Sequence, residues 1–185
     1  MPTNRNINGF RTGFHGVRPN RFKVTGAFPE GAGASDTLFD IYIKAADLPA
    51  STVGVIQVAW QGRIVKFSGE RVYTDWVISV YDSNKEAESL RSGFEKWIEK
   101  MDQRIGHNID YNLVENWTLY YNDLNGTSTN DSEYRNSITL VNCFPLELGP
   151  VQMNYDLSDT FSEFTVILAY DYWTPNAPGS GITNG

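Results

Sequence analysis

From Arg71 to Tyr81 the side chains alternate. Val72, Thr74, Trp76, Ile78 and Val80 fall on one side, and Arg71, Tyr73, Asp75, Ser79 and Tyr81 on the other, with Val77 the exception. A period of two is what a strand with one buried face requires. Other segments repeat the signal. Phe39, Ile41 and Ile43 alternate with Asp40, Tyr42 and Lys44. Val53 to Trp60 is almost wholly apolar, and Ile138 to Phe144 also reads as strand. Val151, Met153, Tyr155 and Leu157 alternate with Gln152, Asn154 and Asp156. Phe164, Val166, Leu168, Tyr170 and Tyr172 line one face of a long last strand. An aromatic content of 14% fits, because pleated surfaces pack aromatic side chains well.

One segment changes period. Leu90, Phe94, Trp97, Ile98, Met101 and Ile105 recur at three- and four-residue spacing, the stripe of an amphipathic helix. Glu88, Arg91, Glu95, Lys96, Glu99 and Lys100 take the solvated side. Ser83 and Glu86 have the form of a capping box, and Gly106 suits a helix end. The spacing predicts a helix over about 84–105, lying across a sheet.

Strands, one helix, then strands again predict an α+β fold, mainly β. The expected architecture is a two-sheet antiparallel β-sandwich or barrel with one flanking amphipathic helix. A chain of 185 residues suits one domain. Residues 1–17 read as an extended arm, 18–174 as the β domain, and the Pro- and Gly-rich 175–185 as a flexible tail. Strands this long leave edges, and open edges invite pairing with another chain.

The sequence offers little chemistry. Nucleophilic catalysis needs an activated side chain beside a base. The only histidines are His15, in the arm, and His107, just past the helix. No GxGxxG or phosphate-loop motif is present. Asp156 and Asp159 lie close in sequence but flank a turn-like Leu-Ser pair. The single cysteine, Cys143, sits in an apolar stretch and reads as a buried structural thiol, so no intrachain disulfide forms. These features predict no enzyme, no catalytic residue, no metal and no cofactor. Asn116-Trp-Thr118, Asn125-Gly-Thr127 and Asn130-Asp-Ser132 match the glycosylation pattern in polar loops, without a secretory signal before them. No apolar run approaches the ~20 residues of a membrane-spanning helix. The long loop from Asp123 to Asn136 is a candidate contact loop between subunits.

Charge is unevenly placed. From Met1 to Phe28 there are five cations and no acid; from Ile105 onward there are ten acids and one cation, Arg135. A basic arm and an acidic second half can attract each other between copies. Arg5, Arg11, Arg18 and Arg21 are the expected inter-subunit contacts of that arm. The net charge of −7 argues against a grip on nucleic acid, which needs a basic surface.

Several motifs, taken in order, resemble one family. Arg18-Pro19-Asn20-Arg21-Phe22 resembles the opening of the first strand in tail-tube proteins of contractile phages. Ala46-Asp47-Leu48-Pro49-Ala50 resembles the bend after it. Gly69-Glu70-Arg71 followed by Tyr73-Thr74-Asp75-Trp76 is similar to the family's "GDR…DDW" strand. Thr165 to Trp173 is similar to its closing "VTLALDYW" strand. The resemblance implies a structural subunit that closes into six-membered rings, which stack into a hollow tube inside a contractile sheath. It implies that inner strands join into one barrel around a lumen that conducts DNA. The implied partners are other copies of the chain, the sheath protein, and baseplate and tail-terminator proteins. The implied location is the virion tail, assembled in the host cytoplasm. DNA passes without specific binding, and a wall of like charge would repel it; Gln152, Asn154 and Asp156 are the expected lumen-lining residues. Two alternatives stand beside this: the tube of a phage-like injection particle with protein cargo, and a monomeric ligand-binding β-barrel.

Overall fold

The computed structural model describes residue 7 and residues 18–30, 42–83, 89–102, 113–123, 134–151, 153–154, 156 and 159–176. Among the described residues the main elements follow in the order β1 (Phe22–Thr25), β2 (Ile43–Ala46), β3 (Ser51–Trp60), β4 (Arg63–Tyr73), β5 (Trp76–Tyr81), α1 (Leu90–Asp102), β6 (Glu115–Asp123), β7 (Tyr134–Leu148), β8 (Glu163–Ala169) and β9 (Tyr172–Asn176). Pairing is antiparallel throughout. The expected fold, mainly β with one helix and antiparallel sheets, is the one found.

The body is two four-stranded layers sharing one strand. In the first layer β1 pairs β6, β6 pairs β7, and β7 pairs β9. In the second, the order is β7, β8, β5, β2. The 15-residue β7 serves both: its residues 134–143 pair β6, and Phe144–Leu148 pair β8. The crossing point is built by Asn142, which takes a left-handed φ of 58°. Asparagine tolerates that conformation better than most residues. Its backbone N–H donates to Asn116 Oδ1 at 3.1 Å and its side-chain amide donates to Asp171 Oδ2 at 2.5 Å. Asp171 lies in the break between β8 and β9, so both strands that change layer are tied together at one corner.

The core lies between the layers. Trp76, Ile78 and Val80 of β5 face Phe164, Val166 and Leu168 of β8, all at most 2% exposed. Trp117, Leu119 and Leu140 close the other side. The helix delivers Leu90, Phe94 and Trp97 into this core. Phe28 meets Phe94 edge-on at 5.0 Å and Trp97 at 5.9 Å, a favoured geometry for aromatic pairs. Trp97 Nε1 donates to the Leu113 carbonyl at 2.9 Å, which satisfies its one donor. Gly26 is required here: a Cβ would stand 2.5 Å from Trp117.

Several expectations need correction. The helix begins at Leu90, with Ser89 Oγ accepting the Ser92 N–H at 3.4 Å. Glu86 of the Ser83–Glu86 capping box, Ile105 and Gly106 lie outside the described residues, as do His15 and His107. The stretch from Arg71 to Tyr81 is two strands, broken at Thr74–Asp75. Thr74 N–H is drawn off to the Ala50 carbonyl at 3.2 Å. Val72 is therefore exposed, while Trp76, Ile78 and Val80 keep the expected face. The segment from Val151 to Leu157 is not a strand among its described residues. Gly149-Pro150 ends β7, and Asn154 Oδ1 accepts the Asp156 N–H at 3.0 Å, an Asx-type turn. The long last strand divides into β8 and β9 at Tyr170–Asp171. Cys143 is buried, as expected.

Candidate functional site

The strongest local anomaly is the hairpin of β3 and β4. Ten and eleven residues long, its strands pair only with each other among the described residues. Trp60 is opposite Arg63, so the connection is the two residues Gln61 and Gly62, with φ of 47° and 76°. Positive φ at both positions is the turn whose twist matches that of the flanking strands. A bulge follows Val53, where Gly54 faces Gly69. A Cβ on Gly69 would stand 3.1 Å from the Gly54 backbone, so the strands approach more closely than side chains allow.

Beyond that bulge the two faces differ. Ile56 opposite Phe67, Val58 opposite Val65 and Trp60 opposite Arg63 share one face. Val55 opposite Ser68, Gln57 opposite Lys66 and Ala59 opposite Ile64 share the other. The first face is an apolar ladder: Ile56 and Phe67 are 55% exposed and Trp60 is 65% exposed. Isolated exposed apolar residues are ordinary, but a contiguous patch marks an interaction site.

The hairpin is fixed at its base. The Arg71 guanidinium lies 4.7 Å from the Trp173 ring centre and 5.1 Å from Tyr73, and its Nε donates to Ser51 Oγ at 2.9 Å. Tyr170 stands edge-on to Tyr73 and donates its hydroxyl to the Thr74 carbonyl at 2.8 Å. Burial is the main cause that pushes the Tyr170 phenol up to about 12.

The second layer offers a further surface. Among the described residues its edges are β2 and the Phe144–Leu148 half of β7, each with a ladder open on one side. Leu146, extruded by a bulge between Pro145 and Glu147, is exposed beside one edge, and Leu48 just past the other. The layer's outward face carries Lys44, Ser79, Tyr81, Glu163 and Thr165. With Glu147, Gly149, Pro150, Met153, Asn154 and Phe161 among other described residues, they border a hollow of about 930 Å³.

The residues expected to line a lumen meet this hollow only in part. Asn154 lines it, Asp156 is exposed nearby in sequence, and Gln152 lies outside the described residues. Arg5 and Arg11 also lie outside them. Arg18 and Arg21 border a smaller groove of about 320 Å³ with Phe22, Asp47, Leu48 and Tyr121. Among the described residues no group of three or more His, Cys, Asp and Glu could hold a metal, and no helix is long and apolar enough to cross a membrane. Sequence reading missed the hairpin as a unit. Its signal was present in Gln61-Gly62 between two β-rich runs.

The tail tube protein gp19 of Enterobacteria phage T4 is 29% identical over 167 residues, spanning 81% of this chain and 96% of that protein. The tail tube protein of Serratia phage KSP90 is 25% identical over 172 residues, covering 83% and 85%. The fold is similar to a chain of an extracellular contractile injection system solved as its sheath/tube terminator, with a TM-score of 0.62 at 16% identity over 89% of this chain and 99% of that one. A chain of the sheath–tube complex of such a system gives 0.59 at 14% identity, covering 94% and 99%. The family model described as "Phage tail tube protein" matches residues 17–176, and this chain belongs to that family.

Proposed function

We propose that this tail tube subunit closes into rings of six, and that the rings stack into a hollow tube that conducts DNA inside a contractile sheath. The observation that carries the reading is the hairpin. Its apolar ladder lies beyond the reach of the chain's own core, so another copy is the natural cover. The ring follows from the second layer. It has four antiparallel strands, so β2 and the Phe144–Leu148 half of β7 run in opposite directions. Joining β2 of one copy to that half of β7 in the next therefore continues an antiparallel sheet. Head-to-tail contacts that close make rings and abolish edges.

The outward face of this layer is then the lumen wall. Two observations favour it. Its edges carry the exposed apolar side chains Leu146 and Leu48, which a neighbouring copy would cover. Its described charged side chains are Glu147, Glu163 and Lys44, a net acidic set that suits passage of DNA. The arm of residues 1–17 then contacts a neighbouring copy, with sheath, baseplate and terminator proteins completing the tail. The role is structural and without catalysis, in the virion tail, after assembly in the host cytoplasm. The relatives at 25–29% identity are phage tail tube proteins, which favours DNA over a protein payload. Negative-stain microscopy of the purified protein tests this: rings and tubes are expected, and a monodisperse monomer at high concentration contradicts it.

A further inference from the structure

The hollow against the second layer holds one cation among its described lining residues, Lys44. Its placement is unusual. Lys44 is the extra residue of a bulge between Ile43 and Ala45 on β2. A bulge re-aims a side chain. Lys44 lines the hollow with its side chain 44% exposed, yet its ammonium is engaged by neighbours. It lies back across β5, with its ammonium 5.7 Å from the centre of the Tyr81 ring, and pairs with Glu163 on β8, the strand beyond. Glu163 and Tyr81 are direct cross-strand partners, so the three side chains form one row over the sheet. Exposed pairs of this kind add little to stability, so stability is a weak reason for the arrangement.

A reason appears if this face lines the lumen, the reading on which the inference rests. Each free cation that meets a phosphate releases counterions, and these contacts multiply along the duplex, with a slope of about 0.9 per phosphate in the salt dependence. One unpaired lysine per subunit, repeated around every ring, would turn a passage into a binding surface. We propose that Glu163 and Tyr81 form a latch that neutralises the exposed Lys44, so that this face presents no unpaired cation to the duplex. The ammonium is held flat by the ring and neutralised by the carboxylate.

The test uses assembled tubes. Wild-type and variant tubes are incubated with a short fluorescent DNA duplex, treated with a nuclease too large to enter, and pelleted. The protected DNA is measured against NaCl concentration. E163Q tubes are expected to protect several-fold more DNA than wild type at low salt, with the excess lost as salt rises. E147Q removes the same charge from the same face but frees no lysine, and is expected to match wild type. The double variant K44M/E163Q is expected to return to the wild-type level, and so is the exchanged pair K44E/E163K, which keeps the latch with its charges swapped. Equal retention by E163Q and E147Q overturns the proposal, as does high retention by the exchanged pair. T165K separates this failure from that of the lumen reading, because it puts an unpaired cation on the same face. If T165K protects DNA and E163Q does not, the latch alone is wrong. If T165K retains DNA that the nuclease digests, or retains none, the face does not line the lumen.

Discussion

The guanidinium of Arg71 lies 4.7 Å from the ring centre of Trp173, joining the base of the exposed hairpin to the last strand of the body. Tyr73 covers it at 5.1 Å and Ser51 accepts its Nε–H. A cation–π contact at an exposed site is worth about 0.5–1 kcal/mol. Arg71→Gln is therefore expected to lower the thermal midpoint of the monomer by about 1–4 °C. Trp173→Leu should do more, and the double variant should fall short of the sum of the two losses. Strict additivity in that cycle would mean that the two side chains do not support each other.

The two faces of the hairpin should respond differently. Ile56→Asp with Phe67→Asp places charges on the apolar ladder. Both positions are exposed in the single chain, so the circular dichroism spectrum and thermal midpoint should hold while tube growth, followed by light scattering, stops. Gln57→Asp on the other face should slow growth far less. Equal inhibition from both faces would remove the distinction drawn between them.

Burial pushes the Cys143 thiol up from 9.0 to about 12. The folded state thus holds this proton more tightly than the unfolded chain. By linkage, the associated stability is fully present below pH 9 and is lost as the pH rises toward 12. The Tyr170 phenol, also pushed up to about 12 from 10.0, acts in the same direction. Denaturant midpoints should be flat from pH 7 to about 8.5 and fall above that, and a thiol reagent at pH 8 should react only after unfolding. Rapid labelling of the native chain would contradict the buried placement.

Removal of residues 1–17 leaves β1 to β9 and α1 intact in sequence. The truncated chain is expected to fold with an unchanged midpoint and to polymerise poorly, because Arg5 and Arg11 are lost from the basic arm. Normal tubes from it would show that the arm is dispensable for assembly.

The sequence disclosed what local periodicity encodes. Trp76, Ile78 and Val80, and Phe164, Val166 and Leu168, are buried on the faces that alternation assigned to them. Leu90, Phe94 and Trp97 pack as the helical stripe requires. The failures share a cause. Alternation gives parity along a strand but not which body the strand belongs to. Val72 has the parity of Trp76 and is exposed, because Thr74–Asp75 is where the chain leaves the hairpin for the core. Val53 to Trp60 reads as core by hydropathy, and its apolar side chains lie in the open. In the assembly proposed above, such residues would be covered by a neighbouring copy. The corner at Asn142 and Asp171 depends on contacts between segments 29 residues apart, which no local window reports.

The central claim is that the layer of β7, β8, β5 and β2 is the inner wall of a six-membered ring. A cryo-EM reconstruction of tubes grown from the purified chain tests it most directly. The account predicts sixfold rings, with β2 of each copy paired to Phe144–Leu148 of the next, and with Ser79, Glu163 and Thr165 facing the lumen. A tube in which that face points outward, or in which β2 and β7 remain unpaired between copies, would contradict it.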